Sequence, residues 1–175
     1  MLKYYRVTYV SDNEYKDFGV AYAPEEADLF LVPPSGDRVV DWKPIQFDLI
    51  EGGFCDYLAN DSGVRLCSEN LMSIIEQNKS ERDDIQWLQA KVKAGKTGCK
   101  MYYILHFPIN LAVVDENKSL TLGNVVVKPV FNANVVRNYG IFTLPNSEGM
   151  IFFVSGKLKE VIEKSDLKGF CFEEV

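Results

Sequence analysis

The sequence predicts an α+β fold: mainly antiparallel sheet, two short similar strand–serine–helix units and few other helices. Three observations carry that reading. Short aromatic and β-branched runs alternate with Gly-, Pro- and Asn-containing turns along most of the 175 residues. Aromatics make up 13% of the chain, a share that favours pleated surfaces. One pattern is also written twice. Residues 64–78 read Val-Arg-Leu-Cys-Ser-Glu-Asn-Leu-Met-Ser-Ile-Ile-Glu-Gln-Asn, and residues 151–165 read Ile-Phe-Phe-Val-Ser-Gly-Lys-Leu-Lys-Glu-Val-Ile-Glu-Lys-Ser. Aligning Ser68 with Ser155 matches Leu71 with Leu158, Ile74 with Val161, Ile75 with Ile162 and Glu76 with Glu163. In each copy an apolar run stops at a serine, a good N-cap, and a helical period begins.

From the N-terminus, residues 2–10 alternate as a strand marked by Leu2, Tyr4, Val7 and Tyr9, and Ser11-Asp12-Asn13 turns the chain. Phe18 to Tyr22 reads as a second short strand. Pro24 to Asp28 reads as a polar loop or one helical turn, and Leu29 to Val32 as a buried strand ended by Pro33-Pro34. Another strand is expected within 39–47, interrupted at Pro44. Gly52-Gly53 breaks the chain, residues 54–58 are ambiguous, and Asn60-Asp61-Ser62-Gly63 is a turn. After the first repeated unit, residues 78–84 are polar, and a strand or mixed segment runs from Ile85 through Val92. Lys93 to Gly98 reads as a hairpin loop leading into Cys99 to Phe107, the strongest strand signal in the chain. Leu111 to Val114 and Val125 to Phe131 are further strands, the second with Pro129 marking an edge or a bulge. Residues 141–144 and 150–154 flank a hairpin turn at 145–149. Ser155 caps a helix over about 156–165, with Glu160 and Lys164 at i, i+4. Phe170 to Phe172 is the last strand.

This length fits one domain over residues 1–175, with residues 1–46 as a candidate N-terminal sub-lobe. No apolar run approaches the ~20 residues of a membrane helix. The opening residues alternate and lack a signal-peptide core, so a cytoplasmic protein without membrane contact is expected. Cys55, Cys67, Cys99 and Cys171 include no Cys-x-x-Cys pair and read as plain thiols. The net charge of −6 is uneven: residues 1–80 hold 7 Lys+Arg against 14 Asp+Glu, and residues 81–175 hold 12 against 11. The acidity belongs to the first half. Such a field repels nucleic acid and draws in basic partners.

Residue types that could carry chemistry occur without the patterns chemistry needs. Gly95-Lys96-Thr97 matches the end of a phosphate-binding loop, but the glycine required five residues earlier is Ala90. His106, the only histidine, lies inside an apolar strand and reads as structural. A serine or cysteine triad would have to use it as base, and no nucleophile motif accompanies it. One histidine and four scattered cysteines give no zinc spacing. The carboxylate pairs Glu25-Glu26, Asp83-Asp84, Asp115-Glu116 and Glu173-Glu174 are sequence neighbours, which usually point apart. Tyr4, Tyr5, Tyr9, Tyr22, Phe30 and Trp42 lie among acids, which fits core packing better than stacking on bases. The expectation is a protein with no cofactor, no metal and no catalytic residue. The alternative is a small cytosolic enzyme with a carboxylate- or His106-based site.

Specific short motifs then stand in a telling order. They are Cys67-Ser68-Glu69-Asn70-Leu71, Tyr102-Tyr103-Ile104-Leu105, Val113-Val114-Asp115 with Lys118-Ser119, and Ile141-Phe142 with Leu144. The closing ones are Val154-Ser155, Leu158-Lys159, Ile162-Glu163, and Leu167 with Gly169 and Phe172. Through them the chain, from about residue 47 to 175, resembles the bacterial immunity proteins of polymorphic toxin systems, of the kind called immunity protein 43 and immunity protein 11. Residues 1–46 match only through Tyr4-Tyr5. The resemblance implies a protein without turnover, which binds a cognate toxin domain and neutralises it stoichiometrically. It leaves the oligomeric state open. With a protein partner implied, the acidic first half offers candidate contacts for steering a basic toxin domain: Glu25, Glu26, Asp28, Asp37, Asp56 and Asp61. Gly169 is expected to take the left-handed conformation that ends a helix.

Overall fold

Two sheets of aromatic and β-branched strands share one core in the computed structural model, which describes residues 3–10, 17–24, 35–96, 98–123, 125–145 and 150–175. β1 (Tyr4–Tyr9), β10 (Ile141–Phe142), β11 (Phe152–Ser155) and β12 (Phe170–Glu174) form an antiparallel sheet ordered β10-β11-β1-β12. β2 (Gly19–Tyr22), β3 (Ile45–Gly52), β4 (Tyr57–Asn60), β5 (Leu66–Ser68), β6 (Gln86–Ala94) and β7 (Gly98–His106) close into a barrel ordered β2-β3-β6-β7-β5-β4. Only the β2–β4 and β3–β6 pairings are parallel. β8 (Leu120–Leu122) and β9 (Val125–Lys128) make a separate hairpin. The helices are α1 (Glu69–Asn78), α2 (Ala133–Val136) and α3 (Gly156–Glu163). The class is α+β, and the closed barrel goes beyond the sheet that the sequence predicts.

The twice-written pattern is one arrangement built twice. β4-β5-β7-β6 and β10-β11-β1-β12 are both antiparallel, and α1 and α3 follow the second strand of each. Ser68 pairs with Tyr102 as Ser155 pairs with Tyr4, and Tyr57 pairs with Cys67 as Ile141 pairs with Val154. Both serines cap as expected: Leu71 N donates to Ser68 Oγ at 3.2 Å and Leu158 N to Ser155 Oγ at 3.4 Å. The backbone N–H of Ser68 reaches Asp56 O, and that of Ser155 reaches Gly140 O, each at 2.8 Å. The hydroxyl of Tyr102 donates to Cys55 O at 2.6 Å, and that of Tyr4 lies 3.1 Å from Tyr139 O as well as on Val136 O. The units differ in connectivity. The strand equivalent to β7 is β1, which enters from the other end of the chain.

The core follows the same duplication. Leu71, Ile75, Cys67, Tyr57 and Leu105 meet their counterparts Leu158, Ile162, Val154, Ile141 and Val7 in one cluster between the two units. Each such aliphatic side chain contributes about 1.5–3 kcal/mol on burial. Leu58, Leu66 and Tyr102 fill the barrel, while Phe142, Phe153 and Tyr4 pack on the outer face of the four-stranded sheet with Val113 and Val136.

Several expectations are corrected. No strand covers 39–44: Val39 N and O bond the Gln86 side chain instead of a ladder, and β3 starts after Pro44, which has no N–H to give. Leu111 to Val114 yields only an isolated bridge between Val114 and Phe131. β9 stops before Pro129. Glu160 and Lys164 form no ion pair; Lys159 pairs with Glu163 at 2.5 Å, its ammonium held over the rings of Tyr5 and Phe172. Gly169 has φ +98°, but the left-handed residue just after α3 is Asp166, at φ +57°. Gly169 serves close approach, since a Cβ there would meet Cys55 Sγ and Tyr57 O at 2.6 Å. Tyr9 and Tyr22 are exposed rather than core. The turn at 11–13, the strand at 29–32 and Phe30 lie outside the described residues.

Candidate partner-binding surfaces

Strand direction gathers the C-terminal ends of β2, β4 and β7 and the N-terminal ends of β3, β5 and β6 at one rim of the barrel. Asp61 follows β4 there, exposed, with its Oδ1 accepting from Ala23 N at 3.1 Å and Ser62 Oγ at 3.0 Å. Asp37 sits at the same rim: its carbonyl meets His106 Nε2 at 2.8 Å while its side chain is exposed. Asp84, ion-paired with Arg38 at 2.7 Å, adds a third acid. Glu25, Glu26 and Asp28 lie outside the described residues. Asp56 stands apart, before β4 at the opposite rim. It is half-buried and accepts from Ser68 Oγ at 2.6 Å and Lys168 N at 2.9 Å, which makes it a structural clamp.

Two clefts open at equivalent places in the two units. One, of about 460 Å³, lies where α1 leaves β5 and is lined by Asp56, Glu69, Asn70, Lys100 and Met101. The other, of about 610 Å³, lies where α3 leaves β11 and is lined by Lys3, Lys79, Arg137, Lys157, Lys159 and Glu160. The basic residues of the larger cleft escape a reading of the sequence because they come from four separate segments. The available signal was the repeat itself, where Glu69-Asn70 becomes Gly156-Lys157.

Titratable groups in the interior are displaced chiefly by burial. His106 is 1% exposed and burial holds its ring below the usual 6.5. Because a carbonyl can only accept, Nε2 carries the proton that faces Asp37 O. Burial pushes the Cys55 thiol up to about 12 and the Cys67 thiol higher still, the reverse of what a nucleophile needs. Tyr4 is raised to about 12 by burial. Asp83 is raised by burial against the hydrogen bonds from Ser80 and Gly140 that favour its charge. It is the counterpart of the Asp56–Lys168 clamp: here the loop after α1 supplies the carboxylate and Gly140 the amide. The four cysteines are free thiols, and among the described residues no group of three or more His, Cys, Asp or Glu is placed to hold a metal. No helix among them is long and apolar enough to cross a membrane.

The class these features belong to is that of the immunity proteins, since a family model of that class matches residues 38–175, from the barrel rim through both strand–serine–helix segments. The chain belongs to the immunity protein family Imm11. The match begins nine residues before the resemblance read from the motifs and leaves β1 and β2 outside it. No curated protein matches the chain.

Proposed function

We propose that this protein neutralises a cognate toxin domain, the C-terminal domain of a secreted effector, by stoichiometric docking in the cytoplasm and without turnover. The family match over residues 38–175 carries this reading. The interior chemistry supports it: the displaced thiols, phenols and imidazole are sealed in the core and serve packing. The acidic rim supports a mode of encounter. Asp37 and Asp61 stand exposed at one rim of the barrel in the acidic first half of the chain, and a basic toxin domain would be steered towards it.

Co-purification with the domain encoded by the neighbouring gene, followed by growth rescue of cells expressing that domain, tests the function. Release of many product molecules per copy of this protein would overturn it. Steering is tested separately. Reversing Glu25, Glu26 and Asp28 to lysine should lower the association rate about tenfold or more at low salt and leave dissociation nearly unchanged. An unchanged association rate would remove these three residues from the encounter.

A further inference from the structure

The two equivalent clefts differ in charge position by position. The strand register and the matching Ser68–Asp56 and Ser155–Gly140 hydrogen bonds set the correspondence. Lys3 stands where the first cleft has Met101, Gly156 where it has Glu69, Lys157 where it has Asn70, and Gly140 where it has Asp56. Three of these exchanges move the second cleft one charge towards positive, and at the fourth Asp83 takes over the carboxylate. Lys100 of the first cleft aligns with the uncharged Leu2. The linings still total one cation against two acids in the first cleft and five cations against one acid in the second. The architecture requires a cleft in both places, and the first unit folds with the opposite bias, so folding does not account for the charge. Lys79, Arg137 and Lys159 extend the basic lining against one acid, Glu160. Lys3, Lys79 and Lys159 have carboxylate neighbours in Glu174, Glu76 and Glu163. Arg137 and Lys157 are exposed and have no ion pair among the described residues.

We propose that this cleft receives a carboxylate-bearing segment of the partner protein, with Arg137 and Lys157 as its principal contacts. The inference rests on the docking reading above and names a second contact surface for it. Two of the amides beside the cleft are already used: Gly156 N donates to Lys3 O at 3.0 Å and Leu158 N to Ser155 Oγ. The cleft therefore offers side-chain cations rather than the amide cradle that phosphate sites favour. In a chain of net charge −6, a local reversal of sign also gives the interface polarity. An acidic rim and a basic cleft on one molecule admit a bipolar partner in one orientation and penalise the reverse.

The test is calorimetric titration of the full chain with the toxin domain encoded by the neighbouring gene. The double variant Arg137→Glu, Lys157→Glu should bind about tenfold or more weakly, with a shallower salt dependence and an unchanged melting temperature. Lys100→Glu, in the first cleft, should bind as the native protein does. If the double reversal melts early, Arg137→Gln with Lys157→Gln replaces it, with an expected loss of about threefold. Native-like affinity of the double variant overturns the cleft assignment and leaves docking intact. An equal loss from Lys100→Glu also overturns it, because the effect would then belong to the overall field. Failure of the native protein to bind overturns the docking reading and this inference with it. Saturable shifts of the Lys157 amide resonance on titration with inorganic phosphate, absent with a hexaglutamate peptide, would reassign the cleft to phosphate and overturn the carboxylate.

Discussion

Ser68 and Ser155 hold equivalent caps, yet their surroundings predict unequal costs of removal. Ser155 accepts one long hydrogen bond, from Leu158 N at 3.4 Å, so Ser155→Ala should cost about 0.5–1 kcal/mol, the low side of the capping range. Ser68 accepts from Leu71 N at 3.2 Å and also donates to Asp56 Oδ1 at 2.6 Å. Its loss leaves Asp56 with the Lys168 amide alone on its side chain. A hydrogen bond to a charged acceptor adds about 1–2 kcal/mol at a half-buried site. Ser68→Ala should therefore cost about 2–3 kcal/mol. The gap between the variants, about 1 kcal/mol or more, corresponds to a melting temperature lower by about 2–4 °C for a chain of this size. Urea unfolding with a common m-value measures it. Adding Asp56→Asn completes a double-mutant cycle, with coupling of about 1 kcal/mol to Ser68 and none to Ser155. Equal losses at the two serines, or a larger one at Ser155, would refute the reasoning.

His106 predicts a pH dependence. Burial lowers its folded pKa below 6.5, so the unfolded chain binds the proton more readily. Its contribution is full above about pH 6.5 and is lost as pH falls towards the folded value. His106→Gln should flatten that part of a stability-versus-pH curve, and a ring titrating at or above 6.5 in the folded protein by NMR would contradict this. Gly169→Ala should cost about 3 kcal/mol or more, because the new Cβ meets Cys55 Sγ and Tyr57 O at a backbone φ of +98°. Gly95→Ala, at φ +48° with open space around it, should cost only about 1 kcal/mol. Thermal melts of the two variants decide whether packing or backbone conformation dominates.

The repeated units were legible because each carries its whole signal locally: an apolar run, a capping serine, and leucine and isoleucine at helical spacing. Their buried faces, Leu71 with Ile75 and Leu158 with Ile162, follow directly. Elements too short to show a period were not legible, and α2 and β8 are of that kind, at four and three residues. Barrel closure was hidden for another reason. It depends on β2 and β3 pairing in parallel with strands far along the chain, and sequence periodicity fixes which face of a strand is buried but not which strand lies beside it. The acidic candidates rest on composition, which places them in the first half of the chain. It could not distinguish Asp56, consumed by a helix cap and a loop amide, from Asp37 and Asp61, which the strand ends leave at the surface.

A duplicated unit provides an internal control that a single sequence rarely offers. Positions that keep their character in both copies are those the arrangement demands. Tyr4 and Tyr102 keep a hydroxyl on the carbonyl chain that precedes the neighbouring strand, Ser68 and Ser155 keep the cap, and the Leu–Ile pairs keep the core between the helices. Positions that change character under the same backbone have been released from folding. At the clamp, the carboxylate has only moved across the contact, from Asp56 on the strand side to Asp83 on the loop side, so its job is conserved and its residue is not. At the cleft mouth the net change is towards positive: Met101 to Lys3 and Asn70 to Lys157 each add a cation and Glu69 to Gly156 removes an acid, against the single loss of Lys100 to Leu2. The excess of five cations over one acid in this lining, against one cation and two acids in its counterpart, is what marks the unit that closes through the N-terminal strand as the one carrying the proposed recognition surface.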